Sequence, residues 1–231
     1  MRVLSVPCLK DNYAYLVIEG SYAVCVDPSE HTKVRDAIAQ EGVQLGAIWL
    51  THHHWDHVGG VEGLVADNPA LEVVAHVSDR GRAPKITREV EDGQTIESGP
   101  LRATIIHNPG HTLGAISYVV DGSVFTGDTL FAAGCGRVFE GTMEMMYASL
   151  QKLAALPPAT KVYFGHEYTA ANLRYAAHAE PGNAAIAARA AALNTPSTPS
   201  TIADERATNP FLLARDAAEF AARRGEKDSF K

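Results

Sequence analysis

The sequence is poor in cysteine, which argues against a fold held together by disulfides. Its 231 residues include only Cys8, Cys25 and Cys135, an odd and widely spaced set that offers no CxxC metal site. Cys8 and Cys25 lie in apolar, strand-like runs, so we predict that both are buried as small hydrophobic residues. Cys135, in "AAGCGR", is a weaker candidate for a nucleophile, because no histidine stands beside it in the sequence.

Long apolar runs and positive charge are also scarce. No apolar stretch approaches the roughly 20 residues that a membrane-spanning helix needs. Lys10, Asp11 and Asn12 interrupt the short apolar stretch near the beginning, unlike the core of a signal peptide. The formal net charge of −7 disfavours binding to nucleic acid. We therefore expect a cytoplasmic monomer whose partner is a small-molecule substrate, with no nucleic acid and no membrane.

What is present is the patterning of a mixed α/β protein, with 46% hydrophobic and 20% charged residues. Strand-like runs dominate the first two thirds: "RVLSV", "YAYLVIE", "YAVCVD", "AIWL", "LEVVAH", "LRATIIH", "AISYVV", "SVFTG" and "KVYFG". Helical periodicity appears in "HTKVRDAIAQEG", "GGVEGLVADN" and "MEMMYASLQKLAAL", and Ala-rich helical segments follow from about residue 168. This predicts sheets covered by helices over residues 1–167 and a small helical cap over residues 168–231.

The segment "THHHWDHVGG", residues 51–60, directly follows the apolar run "AIWL". Side chains alternate between faces in an extended segment, so His52, His54 and Asp56 are predicted to point the same way. His57 follows where a helix is predicted to begin. Imidazole and carboxylate groups crowded at the end of a buried strand need a partner, and both are metal ligands. The spacing therefore predicts a metal site in preference to a histidine-rich surface loop.

Three more donors occupy equivalent places, each just past a predicted strand: His111 in "HNPGHT", Asp128 in "FTGDT" and His166 in "YFGHEYT". Loops at one edge of layered sheets are where sites are assembled, so these residues can meet the histidine-rich segment. Seven donors are too many for one tetrahedral zinc and suit two metals that share a bridging carboxylate. The other five histidines are not grouped with further donors in this way and are predicted to be structural or solvated: His31, His53, His76, His107 and His178.

The motifs "THHHWDHVGG", "PGHT", "FTGDTL" and "GHEYT" occur in the order that is typical of the metallo-β-lactamase superfamily. That resemblance implies an αββα sandwich with a dinuclear site at one edge. The segments "LKDNYAYL", "GDTLFAAGCGRVFEGT", "GHEYTAANL", "NPFL" and "RGEKDSF" further resemble the hydroxyacylglutathione hydrolases, or glyoxalases II. These segments span nearly the whole chain.

The resemblance implies a role for each donor. His52, His54 and His111 would hold a first divalent metal, Asp56, His57 and His166 a second, and Asp128 would bridge the two. The residues that would recognise glutathione are Arg137, Phe139, Tyr168, Arg224 and Lys227. Two positions depart from the family pattern: Phe139 stands where many members have tyrosine, and Ala115 stands where histidine is common.

The implied reaction is hydrolysis of S-D-lactoylglutathione, or another S-2-hydroxyacylglutathione, to glutathione and D-lactate. It is the second step of methylglyoxal detoxification, and a metal-bridging hydroxide held by Asp56 and Asp128 would attack the thioester carbonyl. Zinc is the expected metal, with iron and manganese also compatible with nitrogen and oxygen donors. Alternatives of the same fold include a lactonase, a β-lactamase, an RNA-processing nuclease, a mononuclear-iron persulfide dioxygenase and a diiron redox protein. A non-catalytic metal-binding protein is a further alternative.

Overall fold

The structure, a computed structural model, describes residues 1–230, and these residues form two compact units. The first unit contains Met1–His107 and Ile116–Asp121, and the second contains Asn108–Ala115 and the chain from Gly122 onward. Among the described residues, no helix is both long enough and apolar enough to cross a lipid bilayer.

The first unit is built on a six-stranded sheet with the order β1-β2-β3-β4-β5-β6. Its strands are β1 (Arg2–Cys8), β2 (Asn12–Glu19), β3 (Tyr22–Val26), β4 (Gln44–Trp49), β5 (Glu72–His76) and β6 (Arg88–Val90). Its helices are α1 (His31–Glu41), α2 (Trp55–Val58) and α3 (Val61–Asp67). The strands β1, β2 and β3 are antiparallel, and the turn between β2 and β3 uses Gly20 with a φ of 59°.

From β3 onward the sheet is parallel, because helices provide the crossovers between its strands. The carboxyl ends of β3 and β4 therefore meet at one edge, and the segment with four histidines begins there. Both faces of β4 are covered, which explains why "AIWL" is a continuous apolar run and not an alternating one.

An antiparallel meander also belongs to this unit and consists of β7 (Thr95–Ser98), β8 (Leu101–His107) and β9 (Ile116–Val120). The ring of Tyr118 on β9 stacks on Trp49 of β4, with 5.0 Å between the ring centroids. The Tyr118 hydroxyl donates a hydrogen bond to the carbonyl oxygen of Leu50 at 2.9 Å. A buried tyrosine thus keeps its polar end satisfied while its ring fills the core.

The second unit contains five strands and five helices among the described residues. The strands are β10 (Ser123–Gly127), β11 (Leu130–Phe131), β12 (Gly134–Cys135), β13 (Lys161–Phe164) and β14 (Ser200–Thr201). The helices are α4 (Met143–Ala154), α5 (Thr169–Ala179), α6 (Ala184–Ala191), α7 (Ile202–Thr208) and α8 (Ala217–Ser229). Strands β10 and β13 are parallel neighbours joined through α4, so their carboxyl ends also share an edge.

Each of the nine strand-like runs contains a strand, the three periodic segments contain α1, α3 and α4, and the Ala-rich part contains α5, α6 and α8. The elements β6, β7, β11, β12, β14 and α7 were not predicted, because segments this short carry little periodicity. One boundary was wrong: α2 begins at Trp55, two residues before His57, so Asp56 lies in a helical turn and not in an extended segment.

Candidate metal centre and adjoining cavity

The first unit brings its four predicted donors together at the carboxyl end of β4. His52 and His57 are buried, and their ring centroids are 4.2 Å apart. The ring of His54 meets His52 edge to face at 4.7 Å. The carboxylate of Asp56 lies beside His57, with 3.7 Å between Oδ2 and Nε2.

A buried aspartate that sequence reasoning missed, Asp27, supports these donors. Its Oδ1 accepts a hydrogen bond from the backbone N–H of Thr51 at 2.8 Å, and its Oδ2 accepts one from the Thr51 hydroxyl at 2.6 Å. His57 Nδ1 lies 2.9 Å from the same Oδ2. The ligand atoms of Asp27, His52 and His57 all lie within 4.8 Å of one another. Because Asp27 directly follows β3, the strand-end rule that selected the other donors could have found it.

These hydrogen bonds determine which ring nitrogen of each histidine is available for a metal. The Thr51 hydroxyl has one hydrogen, which it donates to Asp27. Toward His52 Nδ1, which lies 3.0 Å away, it can therefore only accept, so Nδ1 carries a proton. His57 Nδ1 likewise donates to Asp27. Both rings are therefore held in the tautomer that would bind a metal through Nε2, as supporting carboxylates do in metal sites.

Asn12 was also missed as a supporting residue. Its buried amide Nδ2 donates to the backbone oxygen of Asp56 at 3.1 Å and to Asp56 Oδ2 at 3.0 Å. A neutral donor of this kind orients one carboxylate oxygen without adding charge. Nothing in the local pattern of "LKDNYAYL" indicates that contact.

The second unit assembles His111, Asp128 and His166. Asp128 follows β10 and His166 follows β13 after one intervening glycine, so the parallel pairing of the strands brings the two side chains to the same edge. Asp128 Oδ2 lies 3.3 Å from His166 Nε2 and 3.4 Å from His111 Nε2. One carboxylate oxygen thus stands beside two imidazole nitrogens. A carboxylate and two imidazoles placed in this way can contribute ligands to a divalent metal ion.

His111 is oriented by backbone. Its Nδ1 lies 2.8 Å from the carbonyl oxygen of Arg137, which can only accept, so Nδ1 carries the proton and Nε2 would be the metal ligand. Nitrogen and oxygen donors of this kind suit zinc, iron or manganese. The histidine and aspartate clusters in the two units therefore fit divalent metal ions.

A cavity of about 450 Å³ opens beside this second cluster. Both His111 and Asp128 line it, and so do the five residues predicted to recognise substrate: Arg137, Phe139, Tyr168, Arg224 and Lys227. The five predicted substrate residues span 90 positions of the chain and are thereby brought to one cavity.

The two aromatic residues of this wall each contact a candidate ligand. Tyr168 stacks on His166 with an interplanar angle of 2° and 4.8 Å between centroids. Phe139 meets His111 at 5.2 Å, and 62% of its surface is exposed. A bound molecule could therefore cover an apolar ring directly beside the donor cluster.

The two predicted substrate-binding cations on α8, Arg224 and Lys227, are placed differently. Arg224 is buried; its guanidinium donates to the Cys135 carbonyl oxygen at 2.8 Å and to Asp228 at 3.0 Å, and lies over the ring of Phe211. Among the described residues, Lys227 Nζ lies 3.3 Å from the Ala171 carbonyl oxygen and over the rings of Tyr175 and Phe230. Burial, followed by the nearby Arg224 and Arg174 charges, lowers the pKa of Lys227 below its usual value.

The C-terminal helical region contacts the loop that leads to Arg137 on the cavity wall. Asn209 donates to the Gly134 carbonyl oxygen at 2.9 Å, and the buried Glu205 accepts from the backbone N–H of Ala133 at 2.8 Å. A β-carbon at Gly136 would collide with the Asp128 carbonyl oxygen, so this position requires glycine. The loop that carries Arg137 is thus fixed against both the helices and the donor cluster.

All three cysteines are free and buried, as predicted for Cys8 and Cys25. Burial raises the pKa of the Cys135 thiol to about 11, despite the opposing charge of Arg224. At neutral pH Cys135 is therefore a thiol and not a nucleophilic thiolate.

The remaining histidines make structural contacts. His31 pairs with Asp67 at 2.6 Å, His178 with Glu226 at 3.0 Å, His53 with Asp79 at 3.1 Å, and the rings of His76 and His107 stack.

Two family models together match nearly the whole chain. Residues 10–166 match the metallo-β-lactamase superfamily, and residues 167–230 match the C-terminal part of hydroxyacylglutathione hydrolases. A curated relative from Cupriavidus taiwanensis, named hydroxyacylglutathione hydrolase, is 44% identical over an alignment of 266 positions that covers 100% of both chains.

Two solved structures resemble the chain. ETHE1 from Myxococcus xanthus is 27% identical with a TM-score of 0.78, over 100% of this chain and 92% of that one. TTHA1623, solved in a di-iron-bound form, is 28% identical with a TM-score of 0.67, over 92% of this chain and 100% of that one.

Proposed function

The chain belongs to the metallo-β-lactamase superfamily and, within it, to the hydroxyacylglutathione hydrolases, and on that basis we propose that it hydrolyses S-2-hydroxyacylglutathiones, S-D-lactoylglutathione above all. The expected metallo-β-lactamase fold with a C-terminal helical region is confirmed. The observation that carries the proposal is the cavity in which five residues expected to bind glutathione lie beside His111 and Asp128.

The proposed ligand set is the one expected from the sequence. A first metal would be held by His52, His54 and His111, a second by Asp56, His57 and His166, and Asp128 would serve both. Such metals would polarise the thioester carbonyl and lower the pKa of water toward about 7. Zinc is the proposed metal, and iron is an alternative supported by the di-iron form of the relative TTHA1623.

The chain's own residues would bind and orient the substrate. Glutathione carries two carboxylates and one ammonium, and Arg137, Arg224 and Lys227 supply positive charge on the cavity wall. The exposed Phe139 ring and the stacked Tyr168 ring offer apolar surface next to the donor histidines, where the acyl group would lie. Because the three cations would contact the glutathione carboxylates and not the reacting carbonyl, they would contribute mainly to substrate binding.

Three further features belong to the proposal. The catalytic part would span residues 1–167 and the helical substrate-binding part residues 168–231, a boundary close to the change of family model at residue 167. A cytoplasmic location is supported by the three free cysteines, which suit a reducing compartment. We also propose a monomer, which sedimentation of the purified protein would test.

Hydrolysis assays on the purified, metal-loaded protein test the function. We expect S-D-lactoylglutathione to be hydrolysed far faster than β-lactams, homoserine lactones or phosphodiesters, and metal analysis should find two ions per chain. The lactoyl thioester of a short thiol without the glutathione carboxylates is the matched control, and it should show a higher KM. Equal or faster turnover of any other substrate class would overturn the assignment.

A further inference from the structure

One carboxylate joins two of the cavity's cations. Asp228, on the last turn of α8, has its Oδ1 3.3 Å from Arg137 Nε and 3.0 Å from an Arg224 guanidinium nitrogen. Arg137 belongs to the loop after β12, whereas Arg224 lies one turn earlier on the same helix. All three residues line the cavity described above.

The two arginines depend on Asp228 to different degrees. Arg224 is also held by the Cys135 carbonyl oxygen and by the face of Phe211, 5.0 Å from its guanidinium carbon. The Arg137 side chain is 61% exposed, and among the described residues its guanidinium contact is the ion pair with Asp228. A long exposed side chain otherwise samples many rotamers, and that freedom would be lost on binding a ligand.

We propose that Asp228 is a positioning residue, which holds Arg137 and Arg224 in a fixed arrangement for the carboxylates of the substrate. The inference rests on the proposed function and adds a residue to it that does not itself contact the reacting thioester. Its effect would be preorganisation: the cation pair is ordered before the ligand arrives, so less side-chain freedom is lost on binding.

Asp228 also carries a negative charge, which would repel a substrate carboxylate. Its side chain is 41% exposed, so solvent and salt screen that repulsion. Arg137, Arg224 and Lys227 outnumber it on the same wall, which stays positive. Ordering of the cations therefore outweighs repulsion, and removal of the whole carboxylate should weaken binding.

Two substitutions separate position from charge. Asp228→Ala removes both the acceptor oxygens and the charge, whereas Asp228→Asn keeps one oxygen that both arginines can contact. We expect Asp228→Ala to raise KM for S-D-lactoylglutathione about tenfold, as for one lost charged hydrogen bond, with kcat within about twofold of wild type. Asp228→Asn should restore most of the affinity, and calorimetric binding of glutathione itself should follow the same order.

The double variant Arg137→Ala/Asp228→Ala tests whether Asp228 acts through Arg137. If it does, Asp228→Ala should raise KM clearly less in the Arg137→Ala background than in the wild type. Glu226→Gln is the matched control: it removes a carboxylate from the same helix that contacts His178 and Tyr175 and does not line the cavity. It should leave KM unchanged even if it lowers Tm.

Several results would overturn the inference. A lower KM in Asp228→Ala would identify Asp228 as a competitor for the cations. An equal KM increase in both backgrounds would show that Asp228 does not act through Arg137. A fall in kcat without a change in KM would assign Asp228 a different role. If the wild type itself failed to hydrolyse glutathione thioesters, the proposed function would fail, whereas an active wild type with an unaffected Asp228→Ala variant would reject this inference alone.

Discussion

The two compact units hold their candidate metal ligands in different ways. In the first, all four donors come from one stretch of the chain, and buried side chains support them, chiefly Asp27 and Thr51. In the second, the donors follow separate strands and loops. His111 is oriented there by the backbone oxygen of Arg137, a residue that also lines the cavity.

This difference separates residues that support metal binding alone from residues that also shape the substrate cavity. Support in the first unit is made by groups that do not line the cavity, so changing it should alter metal affinity alone. Support in the second unit shares a loop with the cavity wall, so changes there should alter both metal binding and KM. Substitutions in the two units test that distinction.

Replacing the shared carboxylate should have the strongest consequence. Asp128→Ala removes the oxygen that lies beside His111 and His166, so we expect it to lower the metal content and to reduce kcat/KM by about 10³-fold. Metal analysis and steady-state assays on the same preparation would measure both. Asp36→Ala, an exposed aspartate on α1, is the control. Full activity of Asp128→Ala with a single tightly bound metal would refute a dinuclear site.

Replacing Asp27, the charged residue that supports the donors of the first unit, should lower metal affinity without changing KM. In Asp27→Asn an NH₂ group replaces one acceptor oxygen. An NH₂ group only donates, so it cannot accept the hydrogen bonds that Oδ2 receives from the Thr51 hydroxyl and His57. We expect metal affinity, measured by titration against a chelator, to fall about 10- to 100-fold, with KM unchanged once metal is saturating. A raised KM at saturating metal would show that the first unit also shapes the cavity.

The two α8 cations that line the cavity, Arg224 and Lys227, should respond differently to truncation. Arg224→Ala removes a buried guanidinium that contacts the Cys135 carbonyl oxygen, Asp228 and the Phe211 ring, so we expect a loss of about 2 kcal/mol of unfolding free energy in addition to a higher KM. Lys227→Ala should raise KM about tenfold and leave stability within about 1 kcal/mol. Denaturant unfolding and steady-state kinetics separate the two. Equal losses of stability would contradict the difference in their surroundings.

A still smaller effect, on thermal stability, is expected from Glu219 at the surface of α8. Hydrogen bonds from the Arg215 backbone and side chain, and then from Arg223, lower the pKa of Glu219 to about 2. Because this pKa is depressed on folding, its stabilising contribution is present above about pH 4.5 and disappears as the pH falls toward 2. Glu219→Gln should therefore have a lower Tm than wild type at pH 7. A Tm difference that stayed constant down to pH 2 would contradict this linkage.

The sequence predicted those features that depend on local spacing. Strands with apolar runs and helices with regular periodicity were located correctly, and the strand-end rule placed Asp128 and His166 where parallel pairing brings them together. The start of α2 was predicted wrongly, because its four residues, Trp55–Val58, give no periodicity to detect, and Asp56 therefore lies in a helical turn.

The supporting contacts depend on the folded chain. Asp27 and His57 are 30 positions apart, and Arg224 and Cys135 are 89 positions apart, so no local pattern links them. Residue types and spacing suffice to select candidate donors, because strand ends recur in the sequence. Which ring nitrogen faces a metal, and which cation is buried, depends on hydrogen bonds and packing that form only when distant segments meet.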